Sequence, residues 1–356
     1  MKSYLFILIV LSAFLISCST KNNDIIKHEI KEKKGTLRIN ENSYFVSLFP
    51  PSTKDIVSLN IVAQCYDGLV KYNTKTLEVI PAIAKSWDID PLGVIYTFHL
   101  NKNVFFHDND CFPNGKGRLV TAFDIKYTFE YLSTKSSDNH NFFGTVDKIK
   151  GAKKYYEASS KGKPSFGIDG IKIIDDATLQ ITLEAKNPLF LNYIATPTAS
   201  ILAKEAIEKY GNKCYVGTGA FMITSLPELN KPFFLICNPN YYRKSEDGKS
   251  LPYLDTVKIT FEEATIKELE MFENGTLDVI VGLSNDYMPK FLEKHIKDFE
   301  ANPPKYILNH SEETSTTELF NLLRSNVNNF HTNRMNYIDL SIVYLKEAKA
   351  KEEKQK

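Results

Sequence analysis

The amino-acid sequence predicts an α/β fold with two lobes, and three observations support this prediction. Segments with the two-residue periodicity of strands are interspersed with segments that carry helix caps and a helical apolar stripe. Hydrophobic residues make up 43% of the chain and charged residues 24%, which is the balance of a folded globular protein. The length of 356 residues exceeds what one hydrophobic core ordinarily supports.

Four strands are predicted from alternation or from an apolar run. A first strand is expected at 35–40, and the alternation at 94–100 predicts a second. Residues 178–183 alternate between polar and branched apolar side chains, which is typical of a half-buried strand. The run 277–281 is apolar enough to predict a fully buried strand.

Three helices are predicted from their start signals. Ser58 is expected to cap a helix whose apolar residues follow the i, i+3, i+4, i+7 pattern. A second helix is predicted to begin at Thr121, where Asp124 three residues later completes a capping box. The same pattern at 265–268 predicts a short third helix that stops at Gly275.

The first residues have the features of a bacterial lipoprotein signal. An apolar run at 4–16 follows a lysine and is shorter than a membrane-spanning helix requires. It ends at Ser17-Cys18, which resembles a lipobox, where a small residue precedes a cysteine whose sulfur accepts the lipid. We expect Cys18 to be lipidated; an uncleaved membrane anchor is the alternative. The predicted segments at the two ends of the chain are a signal peptide at 1–17, a lipid-anchored flexible tether at 18–34 and a charged tail at 346–356.

Charge and cysteine spacing exclude two classes of protein. Lys and Arg number 44 and Asp and Glu 43, and a net charge of +1 argues against a nucleic-acid partner. The cysteines after Cys18 show no CxxC pair, so no metal site is predicted. Export would permit a disulfide, but the spacing does not say which two would pair, and buried free thiols are an equal alternative. These cysteines are Cys65, Cys111, Cys214 and Cys237.

No catalytic arrangement emerges from the sequence. The seven histidines lack HExxH spacing, and His107 is interpreted as a hydrogen-bonded structural residue beside a turn. Gly217-Thr218-Gly219 is a lone GxG without the third glycine of a nucleotide loop. GxSxG and Walker A motifs are absent from the sequence. We therefore expect a protein that is not an enzyme and has no cofactor.

Several separated motifs resemble one family. They are YDGLVKY at 66–72, PAIAKSW at 81–87, YTFHL at 96–100, VTAFDIKYTFE at 120–130, VGTGAF at 216–221, NPNYY at 238–242 and ENGTLD at 273–278. Together, and in this order, they resemble the extracytoplasmic solute-binding proteins that feed oligopeptide and dipeptide ABC importers, solute-binding protein family 5. The resemblance implies a type II periplasmic-binding-protein-like lobe with an inserted small α/β subdomain.

The resemblance also implies a division of the chain in which the second lobe is largely missing. Only about forty residues separate Leu283 from a segment near 328 that resembles the family's C-terminal return, where a domain of roughly 100–150 residues is expected. The predicted units are a discontinuous first lobe at 35–68, 166–281 and 327–345, an inserted subdomain at 69–165, and a remnant of the second lobe at 282–326.

The family implies a mechanism and partners. An extended oligopeptide or dipeptide would lie in a wet cleft, and closure would present it to the permease and ATPase subunits of an ABC importer. The protein would be a monomer held to the membrane by its lipid anchor, in the periplasm or on the outer face of the cytoplasmic membrane. The candidate ligand-binding residues are Ser43, Tyr44 and Phe45 after the first strand, and Gly282, Leu283 and Ser284 after the last.

Three alternatives stay open at this point. Tyr44 and Phe45 have an equally simple interpretation as core residues. The shortened second lobe favours a truncated or degenerate paralogue with weak or no binding, so we expect weaker peptide binding than in a full-length relative. A secreted hydrolase on an unfamiliar fold is the third possibility, and the lack of catalytic spacing disfavours it.

Overall fold

The computed structural model describes residues 35–300 apart from 74–75, 226, 230, 246–247 and 281–286. The strands are β1 Thr36–Glu41, β2 Val70–Tyr72, β3 Val79–Pro81, β4 Ala84–Ile89, β5 Ile95–Leu100, β6 Ile171–Asp175, β7 Thr178–Thr182, β8 Phe221–Met222, β9 Phe233–Cys237 and β10 Thr256–Phe261. The helices are α1 Ile56–Cys65, α2 Ala122–Leu132, α3 Ala152–Ser159, α4 Phe190–Ile194, α5 Lys204–Tyr210, α6 Thr265–Glu273 and α7 Met288–Glu300. Four short 3₁₀ turns lie at Pro50–Ser52, Pro113–Gly115, Pro197–Ala199 and Gly211–Lys213.

Several predictions fall outside the described residues. These are the signal peptide, the lipidation of Cys18, the tether, the candidate residues Gly282, Leu283 and Ser284, the return at 327–345 and the charged tail. Within the described part of the chain, no helix is long and apolar enough to cross a membrane.

The first sheet joins the first strand of the described chain to its last strand. Its strand order is β1-β10-β9-β8, and β1 runs parallel to β10 while the other neighbours are antiparallel. Thr36 pairs with Thr256 and Glu41 with Phe261, so the carboxyl ends of β1 and β10 lie side by side. The predicted strand at 35–40 is confirmed within one residue.

The second sheet has the order β4-β5-β7-β6 and is entirely antiparallel. The predicted alternation is confirmed, because Tyr96, Phe98 and Leu100 of β5 are buried against the core. Strands β6 and β7 follow residue 165, the predicted end of the inserted subdomain, yet they pair with β5. One sheet therefore spans the predicted boundary at 165, and the domain boundaries stay predictions.

Helix α2 covers this sheet and begins as predicted. The carboxylate of Asp124 accepts hydrogen bonds from the backbone N–H and the hydroxyl of Thr121, at 2.8 and 3.1 Å. Ile125, Phe129 and Leu132 are fully buried along one face of the helix. They belong to one continuous hydrophobic core that also includes side chains of the first sheet, so both sheets share the same apolar interior.

The first and third predicted helices are present, but both of their predicted caps are wrong. Helix α1 begins three residues earlier than expected because Asp55 caps it, accepting the backbone N–H of Ser58 at 2.8 Å. Helix α6 begins at Thr265 itself, and its N-cap Ala264 has no side-chain cap. Nearby, the Glu262 carboxylate accepts the N–H of Ala264 at 3.1 Å.

The predicted strand at 277–281 is also wrong within the described residues, since 277–280 has no strand structure. Leu277 is buried as expected, but the next three residues are half-buried. The carboxylate of Asp278 takes the backbone N–H of Arg38 at 2.7 Å, and the Asp278 N–H donates to the Arg38 carbonyl at 2.8 Å. The Asp278 carboxylate thus accepts the Arg38 N–H, which a neighbouring strand would have bound through a backbone carbonyl.

Candidate functional site

The carboxyl ends of the parallel strands β1 and β10 define the candidate site. Ser43, Tyr44 and Phe45 follow β1 directly, and Phe261 ends β10. Ser43 is exposed, whereas Tyr44 and Phe45 are half-buried. Ligands of α/β proteins bind beyond the carboxyl ends of parallel strands, where loops leave a crevice. The three predicted residues therefore lie where a ligand would be expected.

Aromatic rings form one cluster at this edge of the sheet. The rings of Tyr44 and Phe45 are stacked with centroids 4.3 Å apart, and the Tyr44 and Phe261 centroids are 4.6 Å apart. Phe45 also packs against Phe261 at 5.8 Å and against Phe233 of β9 at 5.6 Å. Such pairs stabilise one another beyond the area they bury. Phe45 serves mainly as the base of the cluster, because it packs on the core, and Tyr44 lies above it.

Polar side chains hold the loop that carries these rings. The amide nitrogen of Asn40 donates to the Glu262 carbonyl at 2.9 Å, and its amide oxygen accepts the Glu262 N–H at 2.8 Å. The hydroxyl of Ser58 accepts the backbone N–H groups of Val46 and Ser47 at 3.0 and 3.1 Å. It donates in turn to the Asp55 carboxylate at 2.6 Å. Ser58, expected from the sequence to cap a helix, instead fixes the end of the site loop.

Tyr215, from another part of the chain, lies close enough to Tyr44 for the two phenols to interact electrostatically. Burial raises the pKa of Tyr44, and burial together with the nearby Cys214 and Tyr44 raises the pKa of Tyr215. Both phenols therefore stay protonated near neutral pH. They can donate a hydrogen bond to a carbonyl or carboxylate and accept one from an N–H group. This arrangement suits a ligand with peptide-like polar groups and apolar side chains.

Sequence analysis found only part of this cluster. It identified Tyr44 and Phe45 but missed Phe233 and Phe261, and it also missed the nearby Tyr215; all three come from segments some 170 to 220 positions further along the chain. The available signal was an aromatic residue at the end of a strand, as at Phe261. Only the parallel pairing of β1 with β10 identifies that aromatic residue as a neighbour of Tyr44.

His107 and the glycine motif at 217–219 have structural roles. His107 is 3% exposed, and its Nε2 donates to the Gly219 carbonyl at 2.9 Å while its Nδ1 accepts the Gly217 N–H at 3.3 Å. Burial lowers its pKa to about 4, so the ring is neutral. A Cβ on Gly217 would lie 2.0 Å from the Cys65 carbonyl oxygen, which explains this glycine by close backbone packing. The structural interpretation of His107 is confirmed.

Metal and disulfide chemistry add nothing to this site in the described residues. No group of three or more His, Cys, Asp or Glu side chains there could hold a metal ion. Cys65, Cys111 and Cys214 are free thiols. Burial raises the pKa of Cys111 to about 11 and that of Cys214 to about 12, so neither is a reactive thiolate near neutral pH.

Comparison with protein families gives one match. The family model described as bacterial extracellular solute-binding proteins, family 5 middle, matches residues 78–329. The dipeptide-binding protein of Escherichia coli K12 is 34% identical over 166 residues, which are 44% of this chain and 29% of that protein. The dipeptide-binding protein DppE of Bacillus subtilis 168 is 27% identical over 302 residues, 81% of this chain and 50% of that protein.

Solved structures give the same fold. The periplasmic oligopeptide-binding protein OppAIV of Borrelia burgdorferi is similar with a TM-score of 0.63 at 29% identity, covering 73% of this chain and 50% of that chain. DppA of Helicobacter pylori, in complex with the peptide STSA, gives a TM-score of 0.60 at 25% identity, with 73% and 49% coverage. The fold is therefore that of type II periplasmic binding proteins. The chain spans half or less of the length of these relatives.

Proposed function

Because the chain belongs to family 5 of the bacterial extracellular solute-binding proteins, we propose that it captures oligopeptides or dipeptides outside the cytoplasmic membrane for an ABC importer. The observation that carries the proposal is the aromatic cluster of Tyr44, Phe45 and Phe261 beyond the parallel strands β1 and β10. The printed names of the relatives, which include dipeptide-binding and oligopeptide-binding proteins, support the ligand class.

The proposed binding mode follows from the chemistry of the cluster. A peptide lies extended across the carboxyl ends of β1 and β10, and its side chains pack on Tyr44 and Phe261. The Tyr44 and Tyr215 hydroxyls hydrogen-bond to its backbone, directly or through water. Binding by stacking and backbone contacts tolerates many side chains. Such a site needs no nucleophile or cofactor, in keeping with a transport role.

Peptide binding is tested by thermal shift and calorimetric titration of the full chain with a pool of short peptides. We expect a millimolar dissociation constant and a raised melting temperature, because a ligand that binds only the folded state stabilises it. Tyr44→Ala should weaken binding at least tenfold, since truncating a central aromatic side chain costs about 2 kcal/mol. Phe123→Ala, which removes an exposed ring of α2, is the matched control and should bind like the wild type.

Tyr44→Phe separates the hydroxyl from the ring and protects the test against a misfolded alanine variant. It should retain the melting temperature and lose the smaller part of the affinity. Equal binding by wild type and Tyr44→Ala would contradict the proposed site. No binding by a folded wild-type chain at any peptide concentration would favour the alternative of a degenerate paralogue with no transport role.

The proposed cellular setting is a monomeric lipoprotein that delivers its peptide to permease and ATPase subunits. Cys18 after the apolar run 4–16 motivates the lipid anchor. Two acyl chains hold a protein at a bilayer where one chain binds only marginally. Cys18→Ala should leave the protein unprocessed or release it from the membrane fraction. Unchanged detergent partitioning and mass of the variant would contradict lipidation.

A further inference from the structure

A basic surface surrounds helix α3, far along the chain from the candidate peptide site. Residues 148–172 contain seven lysines against two acidic residues, Glu157 and Asp169, in a chain whose formal net charge is +1. Six of these lysines are exposed and form no ion pair with any described residue, whereas Lys148 pairs with Asp147. One of the six, Lys172, lies in strand β6. The other five lie on α3 and at its two ends, and we call them the basic surface: Lys150, Lys153, Lys154, Lys161 and Lys163.

The packing of α3 explains why these lysines point outward. Ala152, Tyr155 and Ser159 are buried along its inner face, which leaves Lys153 and Lys154 on the outer face. Lys150 precedes the helix, and Lys161 and Lys163 belong to the loop that follows it. The basic surface is therefore one helix face with its two ends.

Nearby carboxylates do not neutralise this surface. Glu184 accepts the backbone N–H of Gly151 at 2.8 Å, and Glu130 lies 3.9 Å from Lys126, which is a further lysine of the same region. Glu157 is exposed on α3 itself, and Asp169 lies beside Gly151. The lysines still outnumber these acids, and the excess positive charge is left to solvent or to a partner.

Two exposed aromatic rings flank the basic surface. Phe143 is 68% exposed and packs edge-on against Tyr156 of α3, with centroids 5.7 Å apart. Phe166 is 39% exposed, lies 6.1 Å from the Tyr155 ring, and has the Lys154 ammonium 5.0 Å from its centroid. Each ring is held by a contact to α3 but keeps its outer face in water. If this surface faced only solvent, the exposed faces of the two rings would have no apolar partner to pack against.

We propose that the basic surface, with Phe143 and Phe166, docks on an anionic lipid bilayer. Lysines near such a bilayer are attracted by the negative headgroups, and aromatic rings enter the boundary between headgroups and acyl chains. A soluble polyanion would satisfy the lysines but offers no apolar phase for the two rings. The rings therefore favour a lipid surface over an anionic polymer. This inference does not depend on the proposed peptide binding.

The test compares partition of the full-length protein into vesicles of phosphatidylcholine alone and of phosphatidylcholine with about 30 mol % phosphatidylglycerol. Any contribution from the apolar run 4–16 or from a lipid on Cys18 is common to both vesicle types. The ratio of the two partition coefficients therefore reports the attraction to anionic lipid. We expect the wild type to prefer the anionic vesicles and to lose that preference as salt shortens the screening length.

The decisive variant replaces Lys153, Lys154 and Lys163 by Gln. Its preference for anionic vesicles should fall about 100-fold, since each lysine near the bilayer contributes about fivefold. The matched control replaces three other exposed lysines that have no described ion partner, Lys54, Lys85 and Lys102. It removes the same total charge and should keep most of the preference. Both variants should melt like the wild type, because exposed lysines contribute little to folding.

A third variant, Phe143→Ala, tests the lipid phase itself. It should lower binding to anionic vesicles severalfold while leaving binding to soluble polyphosphate unchanged. Equal losses in the two lysine triples would show that net charge alone attracts the vesicles and would overturn the docking surface. A selective loss in the first triple with no effect of Phe143→Ala would assign the surface to an anionic polymer and overturn the lipid proposal.

Discussion

Burial of neutral His107 should make this protein less stable at mildly acidic pH. The ring is buried, its Nε2 donates to the Gly219 carbonyl, and its Nδ1 accepts the Gly217 N–H. A proton on Nδ1 would turn an acceptor into a donor that faces another donor. It would also place a positive charge in the interior, where the Gly219 carbonyl and the Asp108 carboxylate offer only partial compensation. Burial accordingly lowers the pKa of His107 from 6.5 to about 4.

The magnitude follows from the two protonation equilibria. Above pH 6.5 His107 is neutral in both the folded and the unfolded chain, so its full contribution to stability is present. As the pH falls below 6.5 the unfolded chain binds the proton and the folded chain does not, so the free energy of unfolding decreases until about pH 4. At about 1.4 kcal/mol for each tenfold change in proton concentration, the total loss is about 3 kcal/mol, of which about 2 kcal/mol occurs by pH 5.

Urea denaturation of wild type and His107→Gln at pH 7.5 and pH 5 measures this loss. Gln cannot titrate, so the wild type should lose about 2 kcal/mol more than the variant between the two conditions. All other titrating groups are common to both proteins and cancel in the difference. NMR titration of the His107 ring provides a second measurement should the variant fail to fold. Equal losses in the two proteins, or a His107 pKa near 6.5 in the folded chain, would refute the reasoning.

Three substitutions test other parts of the fold by the change in unfolding free energy. Gly219→Ala should cost about 3 kcal/mol or more, because its Cβ would lie 2.5 Å from the Gln64 carbonyl oxygen; a normal melting temperature would contradict this close packing. Arg118→Met should cost about 2 to 4 kcal/mol, because Asp124 would stay buried without its cation; Arg118→Lys should recover part of the loss, and equal stability of all three proteins would show the pair to be dispensable. Ser58→Ala should cost about 2 kcal/mol, since the N–H groups of the site loop lose their acceptor, and an unchanged free energy would show that water replaces it.

Local patterns predicted strands β5 and β7 and helix α2 well. The alternation at 94–100 and 178–183 survives because one face of each strand packs on the core. The capping box at Thr121 survives because both of its partners lie within one turn of the chain. Each of these signals is local in sequence, and so is the interaction that it predicts.

The errors came from interactions between distant segments. Ser58 has the side chain of a helix cap, but its hydroxyl is used by the loop at 46–47, which no local pattern records. The apolar run that begins at Leu277 predicts a strand, yet the side chain of Asp278 replaces the ladder by binding Arg38, 240 residues away in sequence. Half of the aromatic cluster was missed for the same reason, because strand pairing brought Phe261 to Tyr44.

The junction at 214–219 connects stability to the candidate site. The Tyr66 hydroxyl donates to the Cys214 carbonyl at 2.9 Å, and the Thr218 hydroxyl accepts the Asp67 N–H at 3.2 Å. With the two bonds of His107, these contacts fix the segment on both sides of Tyr215. In the sequence this segment is a glycine motif without an assigned role, and in the proposed binding mode its rigid backbone holds the Tyr215 phenol near the candidate site. In the folded chain the His107 bonds persist until the ring itself is protonated, near pH 4. We therefore expect peptide affinity of the folded protein to decline near pH 4, whereas stability already begins to fall below pH 6.5.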